Sequence, residues 1–114
     1  MRVFVYGTLQ RGEPSHAQLQ GARFVASAVT EPTYELVSLG EYPALLEGGS
    51  TAVVGELYDV DSELLARLDL FEDVPELYER KVIRIAGHHA QGYVMRRQQA
   101  QSAERIAGGD WRRR

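Results

Sequence analysis

A short apolar run near the start of the chain, from Val3 to Tyr6, ends abruptly at Gly7. The run mixes β-branched and aromatic residues without a polar interruption, which predicts a β-strand buried on both faces. Such a strand must have packing partners above and below it, so the rest of the chain has to supply both. The next segment, Gly7 to Ser15, contains two glycines and a proline and is predicted to be a loop.

The remainder of the chain supplies more strands than helices. Further strands are predicted within Phe24 to Val37 (broken near Pro32) and over Thr51 to Val60, Tyr78 to Ile85 and Gln91 to Met95. Turns are predicted at residues 40–43, 48–50 and 87–89, the last containing Gly87, His88 and His89. Because 114 residues are too few for two self-sufficient cores, we predict a single mixed α/β (α+β) domain over residues 1–114.

The clearest helix is predicted from about Asp61 to Phe71 or Glu72. Asp61 can cap its first turn, Glu63 suits the positive end of the helix dipole, and Pro75 is expected to end it.

The predicted helix places one carboxylate among its apolar side chains. On a helical wheel one arc holds Leu64, Leu65, Leu68 and Phe71. Glu72 falls inside that arc, where a carboxylate is costly unless it is paired, hydrogen-bonded or protonated. Desolvation there would raise its pKa from about 4.3 toward neutrality, the range that suits a general base. The alternative is that Glu72 ends a frayed helix and reaches water, and the wheel alone favours neither.

The exit from the first strand, at Tyr6-Gly7-Thr8-Leu9, is a second candidate site. A glycine directly after a buried strand lets the backbone turn and present successive N–H groups to a ligand carboxylate or an oxyanion. An ordinary tight turn would have the same spacing. Nucleotide hydrolysis is excluded, because Glu13 and Pro14 stand where a phosphate-binding loop needs Lys and Ser or Thr.

Composition removes several other classes of chemistry. The chain has no cysteine, which excludes disulfides, thiolate metal sites and a cysteine nucleophile, and no serine lies in a nucleophile elbow. His88 and His89 have no acid at ligand spacing, so no metal site is predicted. The net charge of −3 argues against a nucleic-acid partner. Arginines are concentrated near the carboxyl end, where we expect a solvated tail.

Nothing near the amino terminus has the length of a signal-peptide apolar region, because Gly7 ends the first apolar run. No apolar stretch approaches the roughly 20 residues that a membrane span requires. We therefore expect a cytoplasmic protein with no membrane partner.

Several short segments, taken in their order along the chain, resemble the γ-glutamyl cyclotransferase-like family. They are Val5-Tyr6-Gly7-Thr8-Leu9, Gly40-Glu41-Tyr42-Pro43-Ala44, Gly55-Glu56-Leu57-Tyr58, Leu68-Asp69-Leu70-Phe71-Glu72 and Tyr78-Glu79-Arg80. The terminal Gly109-Asp110-Trp111 is similar to the tail of small bacterial members. The resemblance covers nearly the whole chain, and its specificity lies in the order of the motifs.

The resemblance implies a small barrel-like mixed β-sheet flanked by helices, with a cavity at the end of the first strand. It implies an intramolecular acyl transfer in which the α-amine of a γ-glutamyl group attacks its own γ-carbonyl. The products are 5-oxoproline and a free amine or amino acid. No cofactor or metal is implied, and the only implied partner is the small γ-glutamyl substrate.

The resemblance also implies roles for particular residues. It places the catalytic acid on Glu72. The implied substrate-binding residues are Tyr6, Gly7, Thr8, Leu9, Tyr78 and Tyr93. Glu72 on an apolar stripe would then take a proton from the attacking amine and return it to the leaving nitrogen, while backbone N–H groups hold the oxyanion. The alternative is a non-catalytic domain that binds a small carboxylate metabolite with the same loop.

Overall fold

The computed structural model describes residues 1–114 and contains eight β-strands and one α-helix. The strands are β1 (Arg2–Val5), β2 (Arg23–Val29), β3 (Tyr34–Ser38), β4 (Pro43–Glu47), β5 (Val54–Asp59), β6 (Glu79–Ile85), β7 (His88–Val94) and β8 (Glu104–Arg105). The helix α1 (Ser62–Phe71) follows β5, and three short 3-10 helices lie at His16–Leu19, Arg97–Gln99 and Trp111–Arg113. The predicted mixed class is confirmed, although one α-helix rather than several accompanies the sheet.

All eight strands form one mixed sheet that divides at β7. The strand order is β2-β5-β1-β7-β4-β3-β8, and β6 pairs with β7 outside this path. Antiparallel pairing with β6 uses the whole length of β7. The other edge of β7 is therefore shared by two parallel partners, with Val3 of β1 opposite Gln91 and Leu45 of β4 opposite Val94. This division bends the sheet into a half-barrel and opens a gap between the ends of β1 and β4.

The prediction that β1 is buried on both faces is confirmed. Val3 and Val5 pack into a core cluster that contains the three buried leucines of α1, whereas Phe4 and Tyr6 pack into a second cluster with Trp111. β1 thus lies at the centre of the molecule, with the loop that follows it held at one end of the sheet.

The helix begins and ends close to the predicted residues, but a different residue ends it. Asp61 caps it, accepting a hydrogen bond from the N–H of Leu64 at 2.8 Å. Pro75 was expected to terminate it, yet the helix already ends at Phe71, because Asp73 adopts a left-handed backbone with φ of 54°. Asp tolerates this conformation better than most residues, and it closes the helix in the way a glycine usually does.

Two local predictions are wrong. β4 was not predicted, because Pro43 was expected to belong to a turn; it is the first residue of the strand, a position where a missing N–H is tolerated. His88 and His89 do not form the turn but belong to β7, opposite Ile85 and Arg84 respectively.

The carboxyl-terminal arginines are exposed, as expected, but the segment that carries them is packed against the core and is not a free tail. Trp111 is buried in the core, and the Arg114 guanidinium stacks on its ring. Arg97 donates to the carbonyl of Glu47 at 3.0 Å, so this segment is fixed against the sheet. No helix in the structure combines the length and the apolar character that crossing a bilayer demands.

Candidate active site

A cavity of about 710 Å³ opens at the end of β1. Its walls come from the loop after β1, from the turn that leads into β4, and from the segment that joins α1 to β6. All seven residues predicted for the site line it: Tyr6, Gly7, Thr8, Leu9, Glu72, Tyr78 and Tyr93. The fold therefore brings together residues that lie far apart in the chain.

The loop after β1 keeps its N–H groups free while its carbonyls are occupied. The carbonyl of Gly7 accepts from the N–H of Gln10 at 3.1 Å, and that of Thr8 accepts from the N–H of Ser15 at 2.9 Å. The carbonyl of Leu9 lies 2.9 Å from Nδ1 of His16. The N–H groups of residues 7–9 donate to no acceptor in the protein. Because residues 7–9 line the cavity, their unpaired N–H groups are available to a ligand oxygen.

Gly7 is required by a close approach and not by its backbone angles. Its φ is not in the left-handed region. A Cβ atom at this position would lie 2.4 Å from Cγ and 2.7 Å from Cδ of Pro43, inside any permissible contact. The sequence argument therefore identified the right residue for a different reason: the turn packs directly against the first residue of β4.

Glu72 is the C-cap of α1, directly after its last residue Phe71, and two backbone hydrogen bonds fix the turn around it. The N–H of Asp73 donates to the carbonyl of Leu70 at 3.1 Å, and the N–H of Val74 donates to that of Asp69 at 3.0 Å. This is the Schellman pattern, with Asp73 at its left-handed position. Val74 packs against the apolar core, so the helix end is not frayed.

The carboxyl of Glu72 is partly enclosed and carries no partner. Its side chain makes no ion pair, and the only cause acting on its pKa is burial, which raises it from 4.5 to about 7. A carboxyl with this pKa exchanges protons readily at neutral pH, which is the property that a general acid–base group needs. Of the two interpretations left open by the sequence, the desolvated carboxyl is the one that the geometry favours.

Each of the three site tyrosines donates a hydrogen bond from its hydroxyl to an acceptor in the protein. Tyr6 donates to the carbonyl of Tyr93 at 2.7 Å and accepts from the N–H of Leu45 at 3.2 Å, so its hydroxyl contacts the backbone of both β7 and β4. Tyr78 donates to the carbonyl of Pro43 at 2.7 Å. The hydroxyl of Tyr93 donates to Oδ1 of Asp69 at 2.8 Å, which ties this side chain to α1 and not to β4.

Burial is the largest cause that raises the pKa of Tyr6, Tyr78 and Tyr93, and the charge of Glu72 adds to it in all three. These hydroxyls therefore stay protonated at neutral pH. Glu72 and the three tyrosines line the same cavity, which is why its charge acts on all of them.

Sequence reasoning missed several residues of the site. Pro43 was quoted in a motif but given no role, although it contacts Gly7 and accepts from Tyr78. Asp69 lies one helical turn before Glu72, so the sequence places the two side by side, but Asp69 was given no role in the site. An ion pair with Nε of Arg80, at 3.0 Å, holds the carboxylate of Asp69 in place. The same carboxylate accepts the hydrogen bond from the Tyr93 hydroxyl and so orients that side chain.

The inner end and the rim of the cavity differ in character. The inner wall is buried, whereas the rim includes the exposed side chains of Glu41, Tyr42 and Phe71. Phe71 was expected on the buried stripe of the helix, but 42% of it is exposed because it reaches this rim. The lining contains two carboxylates and no lysine, arginine or histidine. No group of three or more His, Asp or Glu side chains is arranged to hold a metal ion.

Comparison with known proteins places this chain among proteins of one family. The family described as Gamma-glutamyl cyclotransferase, AIG2-like, matches residues 3–113. A Vibrio cholerae protein provisionally named a gamma-glutamylcyclotransferase is 42% identical over 109 residues, covering 96% of this chain and 93% of that protein.

A human protein named gamma-glutamylaminecyclotransferase is 46% identical over 92 residues, which are 73% of this chain and 60% of the human one. The crystal structure of an AIG2-like protein from mouse superimposes with a TM-score of 0.72 and 35% identity, covering 83% of this chain and 75% of that one. By sequence and by fold, the chain belongs to the AIG2-like gamma-glutamyl cyclotransferase family.

Proposed function

We propose that this protein converts a γ-glutamyl compound into 5-oxoproline and a free amine, with Glu72 as its general acid–base group. The observation that carries the proposal is the pairing of two features in one cavity. One is a carboxyl whose pKa is raised to about 7 by burial, and the other is the row of unpaired N–H groups at residues 7–9.

The substrate enters with a carboxylate and an ammonium group on its α-carbon. Because the lining offers no cationic side chain, neutral backbone N–H groups of Gly7, Thr8 and Leu9 hold the oxygen atoms of the substrate. The ammonium lies toward Glu72, whose charge favours it. Holding both ends curls the γ-glutamyl group, so the amine and the γ-carbonyl react within one molecule.

The reaction needs one proton acceptor that later becomes a donor. Glu72 takes a proton from the α-ammonium, and the freed amine attacks the γ-carbonyl carbon to form a five-membered ring. The developing oxyanion accepts hydrogen bonds from the loop N–H groups. When the bond from the γ-carbon to the leaving nitrogen breaks, Glu72 returns this proton to that nitrogen. Glu72 then takes the second proton of the ring nitrogen and passes it to the released amine, so the products are 5-oxoproline and an ammonium ion.

The leaving group occupies the rim. Glu41, Tyr42 and Phe71 offer aromatic surface and negative charge there, which suits an alkylamine and disfavours a leaving group with its own carboxylate. The name of the human relative, a gamma-glutamylaminecyclotransferase, supports the same preference. A γ-glutamyl alkylamide is therefore the first substrate to test, with a γ-glutamyl amino acid as the comparison.

The test measures 5-oxoproline and free amine from a γ-glutamyl alkylamide and from its N-acetylated form. We expect equal amounts of both products from the parent compound and none from the acetylated one, because the blocked amine cannot attack. Glutamate as the main product would indicate hydrolysis and contradict the mechanism. Binding of 5-oxoproline without any turnover would favour the alternative, a domain that only binds small carboxylates.

A further inference from the structure

A buried carboxylate that does not line the cavity contacts the loop after β1 (residues 7–15) at Arg11. Glu56 lies on β5, beside β1, with 5% of its surface exposed. Its Oε1 accepts from the backbone N–H of Arg11 at 2.9 Å and from the hydroxyl of Tyr58 at 3.0 Å. The Tyr58 pKa is raised to about 12, chiefly by burial and then by this hydrogen bond, so the hydroxyl remains a donor.

The second oxygen of Glu56 faces two guanidinium groups. Oε2 lies 3.8 Å from Nε of Arg11 and 3.7 Å from Nη2 of Arg112. The same Nη2 donates to the backbone carbonyl of Arg11, and Nε of Arg112 lies 3.8 Å from the carboxylate of Glu13. Both polar groups of the Arg11 peptide backbone are thus fixed, one by β5 and the other by the carboxyl-terminal segment.

Arg112 can act as a fixed anchor because its neighbour is buried. Trp111 is packed in the core, and the N–H of Arg112 donates to Oδ1 of Asp110 at 3.1 Å. Arg113, the next residue, provides a contrast. Its side chain is 88% exposed and meets only Asp110, at 3.8 Å.

The fixed point at Arg11 lies two residues beyond the last of the free N–H groups. Hydrogen bonds inside the loop connect the two regions, because both the N–H and the Nε2 of Gln10 donate to the carbonyl of Gly7, at 3.1 and 3.3 Å. The N–H of Ser15 donates to the carbonyl of Thr8, which closes the loop on itself. A displacement at Arg11 would therefore move the N–H groups that line the cavity.

We propose that Glu56 and Arg112 are positioning residues, which hold the loop of residues 7–15 so that its N–H groups can bind the substrate. This inference rests on the proposed function and assigns a role to the carboxyl-terminal arginine. Both guanidinium groups are partly exposed, and ion pairs with exposed partners add little net stability. Precise placement of the loop is therefore a better reason for this arrangement than stability.

The experiment compares Arg112→Ala and Arg112→Lys with the matched control Arg113→Ala. The side chain of Arg112 is 38% exposed, so its truncation leaves the core intact. Calorimetry with 5-oxoproline gives Kd, and turnover of a γ-glutamyl alkylamide gives KM and kcat. Hydrogen exchange at the amides of Gln10 and Ser15 reports the loop directly.

For Arg112→Ala we expect Kd and KM to rise by between about tenfold and about a hundredfold, the range that loss of precise positioning produces. The pH midpoint of kcat should not move, since Glu72 is untouched, and exchange at Gln10 and Ser15 should accelerate. Arg112→Lys should recover part of the affinity, because it keeps the charge that faces Glu56. Arg113→Ala should behave as the wild type.

Equal Kd, KM and exchange rates in Arg112→Ala and Arg113→Ala would overturn the inference while the proposed function stood. A lowered melting temperature with unchanged Kd would mean that Arg112 is structural only, and would overturn it as well. If the wild type neither binds 5-oxoproline nor produces it, the proposed function fails and the inference fails with it.

Discussion

Replacing Glu72 with glutamine should stabilise the folded protein at pH 8 and also remove most of its activity. Burial raises the pKa of this carboxyl from 4.5 to about 7, so its charged form is less stable in the fold than in the unfolded chain. Glutamine has nearly the same shape and no charge. The substitution therefore removes the destabilising charge and the proton exchange together.

The size of the effect follows from the difference between the folded and unfolded pKa of Glu72. Between pH 4.5 and 7 the folded protein keeps a proton that the unfolded chain has released, so the free energy of unfolding falls as pH rises. A tenfold change in an acid dissociation constant corresponds to about 1.4 kcal/mol. Burial of the charged carboxyl therefore lowers the free energy of unfolding by about 3 kcal/mol once the pH is well above 7. Between about pH 5 and about pH 8 the loss amounts to about 2.5 kcal/mol. At about 4 °C per kcal/mol, the melting temperatures of the two proteins should diverge by about 10 °C over that interval.

The assay is thermal unfolding of the wild type and of Glu72→Gln at several values from about pH 5 to about pH 8, the interval that contains most of the titration. Taking the difference between the two proteins removes the titration of all other groups. Glu76→Gln is the matched control for the loss of a carboxyl, because Glu76 is exposed and its side chain has no ion pair. Turnover by Glu72→Gln should fall by about 10²–10⁴. A stability difference that stays constant across this pH range would refute the desolvated carboxyl and with it the argument for Glu72.

Three other substitutions test the surroundings of the site. Gly7→Val drives side-chain atoms into the ring of Pro43, so calorimetric binding of 5-oxoproline should be lost; undiminished binding would place the site elsewhere. Tyr78→Phe leaves the buried carbonyl of Pro43 without its donor, and the free energy of unfolding in urea should fall by about 1–3 kcal/mol; an unchanged value would contradict this hydrogen bond. Joint replacement of His88 and His89 with alanine should leave the rate of 5-oxoproline release unaltered, because neither lines the cavity; a lost rate would assign them a role.

Elements with strong local patterns could be predicted, and those that depend on distant pairing could not. The helix was predicted from its cap at Asp61 and its apolar spacing, both of which are local. β4 was missed because Pro43 and the flanking glycines are typical of turns. It is a strand because Leu45 pairs with Leu36 of β3 and with Val94 of β7, and neither partner is visible from its own sequence.

The site residues also differ in whether their setting depends on local sequence or on distant pairing. Glu72 could be singled out because its setting on the predicted helix is local: it lies four residues after Leu68 and eight after Leu64. The hydroxyl of Tyr6 could not be assigned in this way, because its two partners lie 87 and 39 residues away and meet only where the sheet divides. The sequence therefore singles out one carboxyl as a candidate, and it leaves open whether that carboxyl is desolvated. The enclosing wall raises the pKa of that carboxyl, and it exists only once the long-range pairing of β7 with β1 and β4 has formed.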